Sequence, residues 1–305
     1  MGMGEWCALS AALLWTFSSM LWGKIRLTPT VLNFAKNWVG CVLLLTHVLV
    51  VAIVWQTWPQ WGSWQSTLWL TLSAIIGIAI GDTFYFRSIQ ILGPRLALMM
   101  ATVAPLFGAF IGLLIFGEML PWFGWTGVGL TLLGVFFVVS DRRSRVESPG
   151  LFQGAVFEGV LCGLGGALCQ AIGGGLSKQA TRDCGELEAA AIRTMIAFVV
   201  TLGYIALRGK LRESWRESLR SEHLKLIVPA AAIGTWLGIW LSQIAFNQAP
   251  LAIALTLMST SPLFAIPIVH FYFGHRATRV AIVGSIIAIV GVYLVSQATV
   301  APTVD

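Results

Sequence analysis

The sequence predicts an all-α membrane protein of ten transmembrane helices, built as two five-helix repeats of inverted topology. Three observations carry the prediction. Of 305 residues, 57% are hydrophobic and only 10% are charged, where a soluble domain carries roughly 25% charged residues. The apolar residues lie in continuous runs near the ~20 residues a helix needs to cross a bilayer, and not in the alternating pattern of a transmembrane barrel. Third, the chain repeats itself: "APLFGAFIGLLIFGE" begins at Ala104 and "SPLFAIPIVHFYFGH" at Ser261, with Pro105 and Pro262 lying 157 residues apart.

The spans fall at 5–23, 30–55, 66–88, 94–117, 121–140, 152–177, 187–207, 224–246, 250–273 and 278–297. The first starts in "MGMGEWCALSAALLW", which lacks the basic n-region of a signal peptide and so reads as a span. After the second comes "WQTWPQWGSWQSTLW", without Lys or Arg, an aromatic belt at a membrane interface. The third holds Asp82 deep in its apolar run, and the fourth carries Pro105 and closes on Gly117-Glu118. The fifth leads into "DRRSRVESPG", the junction that divides the chain into units 1–146 and 147–305. Glu158 opens the sixth, where a carboxylate suits the positive end of a helix. That span also contains "GLGG" and "GGG". A phosphate-cradling loop needs a preceding strand, so these glycines indicate close helix packing.

The seventh span carries Arg193. Beyond it Arg208, Arg212, Arg216 and Arg220 recur every four residues, opposite Leu211, Trp215 and Leu219, as in an amphipathic helix on the membrane surface. The eighth presents Trp236, Trp240, Gln243 and Asn247 on one face; the ninth carries Pro262 and ends in Gly274-His275 before the tenth.

The offset of 157 also pairs Gly77 with Gly234, Gly81 with Gly238, Gly127 with Gly284, Gly134 with Gly291 and Lys36 with Arg193. It matches Gln90 to Asn247 and Thr102 to Ser259, and with a loop gap Thr16 to Gln170. Five spans per copy is an odd number, so the second copy enters the bilayer from the opposite side, the build of many secondary transporters.

Ser88, Pro105 seventeen residues later and Gly117-Glu118 are echoed by Ala245, Pro262 and Gly274-His275. With this pattern the chain resembles the drug/metabolite transporter superfamily in its EamA-type ten-helix form, over nearly its whole length. The resemblance implies a carrier of small organic solutes, often outward, with both termini in the cytoplasm. His275 departs from the family's Glu. Orientation stays open, because fifteen of the nineteen Lys and Arg lie in or beside the odd-numbered connections. By the positive-inside rule that places both termini outside.

Asp82 is the leading site candidate, since a carboxylate at the bilayer centre costs roughly 2.5–3.5 kcal/mol and is kept there for a reason. It reads as a coupling or recognition group, with a protonated, hydrogen-bonded structural Asp as the alternative. Tyr85 shares its face. Gln90, Thr102, Gln170, Trp240, Gln243, Asn247, Ser259 and Thr16 complete the candidate lining, Pro105 and Pro262 are candidate hinges, and Glu118 and His275 cap or gate at helix ends. Lys36 and Arg193 either snorkel to the interface or meet an anion.

The five cysteines form no CxxC and no Cys/His cluster, so neither a disulfide frame nor a metal is expected, and no cofactor. The net charge of +6 follows the topology and does not indicate nucleic acid. The expected partners are a small-molecule substrate, lipid and protons, and the oligomeric state is left open. The function expected is a secondary exporter of a small polar or amphipathic metabolite in the plasma (inner) membrane. It would use alternating access, with proton coupling through Asp82. A membrane-embedded enzyme and a channel or scaffold are the alternatives; neither HExxH nor GxSxG is present.

Overall fold

A computed structural model describes residues 1–140, 153–264 and 279–297. His275 and the end of the ninth span lie outside the described residues. Among the described residues the protein is helical, without a β-strand.

The first half contains α1 (Met3–Trp22), α2 (Pro29–Trp55), α3 (Trp64–Leu92), α4 (Pro94–Ala101), α5 (Ala104–Phe116) and α6 (Trp122–Ser140). The second contains α7 (Gln153–Ala180), α8 (Glu186–Leu207), the short α9 (Leu211–Ser218), α10 (Ser221–Gln248), α11 (Leu251–Met258) and α12 (Arg279–Ser296). Five of these, α2, α3, α7, α8 and α10, are long and apolar enough to cross a membrane.

Local chemistry sets the starts and stops. Pro29 opens α2, where its missing N–H is no loss. The Ser63 hydroxyl caps α3 by accepting from the Ser66 amide at 3.2 Å. Gly117 ends α5 at φ 63°, a left-handed conformation that glycine adopts without strain.

The fourth span is not one helix. It breaks at Thr102-Val103, and the ninth breaks at Ser259-Thr260, the same places in the repeat. Pro105 therefore lies in the first turn of a half-helix, where no amide is needed, and not late in a continuous one. A second matched irregularity is π-helical: residues 74–80 within α3 and 232–237 within α10.

Helix packing repeats the duplication. α1 packs on α10 as α3 packs on α7, and α5 meets α7 as α11 meets α1. α2 faces its counterpart α8, and α6 faces α12. Contacts that exchange in this way are those of a twofold arrangement. The buried faces are rich in small residues, including Ala8, Ala11, Ala35, Ala190, Ala191 and Ala197, which let backbones approach closely. Large apolar side chains such as Ile53, Leu114 and Leu207 point outward, a surface suited to lipid.

The first, third and seventh connections gather at one end, where the Gln90 Nε2 donates to the Leu27 carbonyl at 2.6 Å and Arg87 pairs with Glu158 at 2.8 Å. At the other end the Ser63 amide donates to Asp183 at 3.0 Å and Gly185 donates to the Gln60 carbonyl at 3.0 Å. The Ser66 hydroxyl also donates to Asp183; with Ser63 it holds that carboxyl below the usual carboxylate range. α9 forms as expected, but Trp215 is not given to lipid: it packs edge-on against Phe34 of α2, ring centroids 4.9 Å apart.

Candidate functional site

Between the halves lies a cavity of about 160 Å³. Its charge comes from three elements. Lys36 stands on α2, Asp82 on α3 just past the π-helical turns, and Arg193 on α8. Lys36 Nζ meets Asp82 Oδ2 at 2.7 Å, with side chains 6% and 25% exposed. Bringing two charges out of water is costly, so such a pair holds only where geometry and further hydrogen bonds are good. Asn33, one turn before Lys36, fixes the neighbouring backbone by donating from Nδ2 to the Ile78 and Ala79 carbonyls at 2.9 and 3.0 Å. These acceptors lie in the π-helical stretch, where the regular ladder is disturbed.

Arg193 is buried, 6% exposed. Its Nε has no hydrogen-bond partner, and it joins none of the ion pairs among the described residues. Gly77 makes room for it: a Cβ there would stand 3.3 Å from Nη2. The rest of the lining is mostly aromatic and small. Trp15, Trp22, Tyr85, Phe86 and Phe246 supply rings. Two of these have their polar tips occupied, since the Trp15 indole donates to the Gly234 carbonyl at 2.9 Å and the Tyr85 hydroxyl bonds Ser19 Oγ at 2.9 Å. Buried polar groups in a membrane protein must find such partners.

Comparison with known proteins bears on what such a cavity serves. The sequence model of the EamA-like transporter family matches residues 2–140 and again 157–297. The chain belongs to the EamA-like transporter family. The match falls in two segments, one per repeat, and identifies a transporter of the drug/metabolite type and a multi-pass membrane protein. No curated protein matches the chain. Among solved structures, one described as "Crystal structure of protein" is similar with a TM-score of 0.71 over 96% of each chain, at 13% identity. At that identity the likeness speaks to the fold alone.

In this EamA-family protein the sequence candidates separate into two groups. Asp82, Tyr85, Gln170, Ser259 and Pro262 line the cavity. Six others do not. Gln90 holds the Leu27 carbonyl, and Thr16, fully buried, donates to the Ala12 and Ser261 carbonyls at 2.8 Å each. Trp240 packs edge-on to His47 at 4.7 Å between centroids. Gln243 accepts from Ser177 at 2.6 Å, and Asn247 donates to Glu186 at 2.8 Å in an exposed position. Thr102 is buried at the break before α5. The stripe Trp236, Trp240, Gln243 and Asn247 thus faces away, and the neighbouring face, with Thr235, Ile239, Ser242 and Phe246, meets the cavity. Pro105 is buried outside it.

Glu118 is a bridge. Its Oε1 meets Lys178 at 3.0 Å and its Oε2 accepts from the Leu251 amide at 2.8 Å, tying the end of α5 to α7 and to the start of α11. Sequence reasoning favoured snorkelling for Lys36 and Arg193 over contact with an anion; both instead turn inward to the cavity. The available signal was their symmetry, a cation at matched depth in each copy. Trp15, Ser18, Ser19 and Trp22 on α1 carried no comparable sign.

Proposed function

We propose that this protein is a secondary transporter that exports a small polar or amphipathic organic metabolite across the plasma membrane by alternating access. In this reading the chain crosses the bilayer ten times, its second five-helix unit lies inverted relative to the first, and the solute occupies the cavity between them. One observation carries the proposal: matched elements of both halves enclose a cavity that keeps an ion pair, Lys36–Asp82, within an apolar bundle. Charge at such depth is expensive and marks solute or ion pathways.

Asp82 is the coupling group. Protonating it discharges the carboxylate and releases Lys36, so proton occupancy and the state of the cavity are linked. The halves rock about the breaks at Thr102-Val103 and Ser259-Thr260, beside the hinge residues Pro105 and Pro262. Glu118, held by Lys178 and the Leu251 amide, closes one end and must let go when that end opens; His275, its counterpart in the repeat, is the gate residue proposed for the other.

The test begins with a metabolite screen for solutes that raise the melting temperature of the purified protein, since a ligand of the folded state stabilises it by mass action. A hit is then followed into proteoliposomes. Asp82→Asn should abolish transport driven by a pH gradient while the protein still inserts in the membrane. Equal rates in mutant and wild type across pH would remove the coupling role.

A further inference from the structure

We infer that the transported solute carries one carboxylate on a compact apolar body, and that Arg193 is the residue that binds it. The inference rests on the carrier reading above and names the substrate class of the same cavity. Among the described residues, the charged side chains lining the cavity are Lys36, Asp82 and Arg193. Asp82 already holds Lys36 at 2.7 Å, so the cavity has one cation left over.

That cation is Arg193, a guanidinium in an apolar bundle with an unpartnered Nε. Asp82 acts on it electrostatically but forms its ion pair with Lys36 and none with Arg193, so the buried charge is only partly balanced, which is unfavourable. A planar fork of N–H donors is also the group best suited to grip a carboxylate through two parallel bonds. Space is kept for it by Gly77.

The other walls define the rest of the solute. Trp15 and Tyr85 have spent their polar atoms on Gly234 and Ser19, which leaves ring faces. Trp22, Phe86 and Phe246 add apolar surface. The volume of about 160 Å³ is close to that of an engineered cavity of about 150 Å³ that accepts a benzene ring. An added ammonium on the solute would meet two cations and a carboxylate that is already paired. The fitting class is therefore a monoanionic organic acid with a body about one ring in size.

The test uses the purified full chain and matched acid–amide probes: benzoate, phenylacetate and 3-phenylpropionate, each beside its carboxamide. In thermal melts the wild type should be stabilised by the carboxylates and much less by the amides. Arg193→Gln should weaken carboxylate binding about ten- to hundredfold, the scale of one charged hydrogen-bonded contact, and erase the preference for acid over amide. Arg193→Lys should retain the preference at lower affinity. The wild-type comparison needs no variant to fold. Equal stabilisation by acids and amides, no stabilisation by the acids, or carboxylate binding that survives Arg193→Gln unchanged would each overturn the inference. Neutral and cationic solutes run in parallel separate the two readings: a hit among them rejects the carboxylate and leaves the carrier intact.

Discussion

Lys36 and Asp82 form an ion pair at 2.7 Å inside an apolar bundle. Replacing Asp82 by Leu leaves an ammonium buried without a partner, a change expected to cost about 3 kcal/mol. Adding Lys36→Met on that background removes the orphan charge, so the double variant should recover most of the lost stability. Thermal unfolding of the four proteins in detergent measures the coupling between the two sites; additive losses would mean that the pair contributes nothing as a pair. The double variant should still fail to transport. At this scale the sequence was half readable. Asp82 announces itself as an acid in an apolar run, and Tyr85 follows on its face. The direction of Lys36 was hidden, because a long side chain a turn or two from a helix end can reach either water or the interior. Gln243 and Asn247 misled for the opposite reason: their amides serve helix-to-helix and surface contacts, to Ser177 and Glu186.

Among the elements, α6 and α12 bring their backbones close together, and glycine is the cause. A Cβ on Gly134 would fall on the Ala288 nitrogen and the Gly284 carbonyl, and one on Gly291 on the Thr131 backbone. Gly134→Leu or Gly291→Leu must push the helices apart, at about 1–3 kcal/mol each. Gly203→Ala, where no atom lies within 4 Å, should leave stability unchanged or slightly raised, by up to about 1 kcal/mol. Melting temperatures of the three variants decide the matter. The Gly127/Gly284 and Gly134/Gly291 matches were legible only as signs of the repeat; the structure brings all four glycines to this crossing. Helix positions were legible because an apolar run must be about a bilayer long, and most ends agree within a few residues. The π-helical turns at 74–80 and 232–237 were not. An altered hydrogen-bond ladder leaves hydrophobic composition as it was.

For the molecule as a whole, the duplication was the most legible feature, since an offset of 157 recurs in glycines, prolines and cations alike. The structure adds that the first, third and seventh connections share one end and the even connections the other. The first end carries Lys24, Arg26, Arg208, Lys210, Arg212 and Arg216; the second carries Glu118, Asp183, Glu186 and Glu188 with Lys178 and Arg182. By the positive-inside rule this bias predicts that the basic end faces the cytoplasm. In intact cells, a cysteine introduced at the exposed Thr57 should react with a membrane-impermeant thiol reagent, and one at Ser221 should not; the reverse pattern would invert the orientation. Cys184 is unsuitable as a reporter, being 4% exposed, and burial pushes its thiol up to about 12.

The position 157 residues after Asp82 is Ile239, and both line the same chamber. A frame with near-twofold form thus holds an acid on the first half only, and the acid stays with that half. Inward-facing and outward-facing conformers of such a carrier are not mirror images in charge. Under the proposed alternating access, the half-saturating solute concentration is expected to differ between the two membrane faces, even though net movement still ceases when the gradients balance.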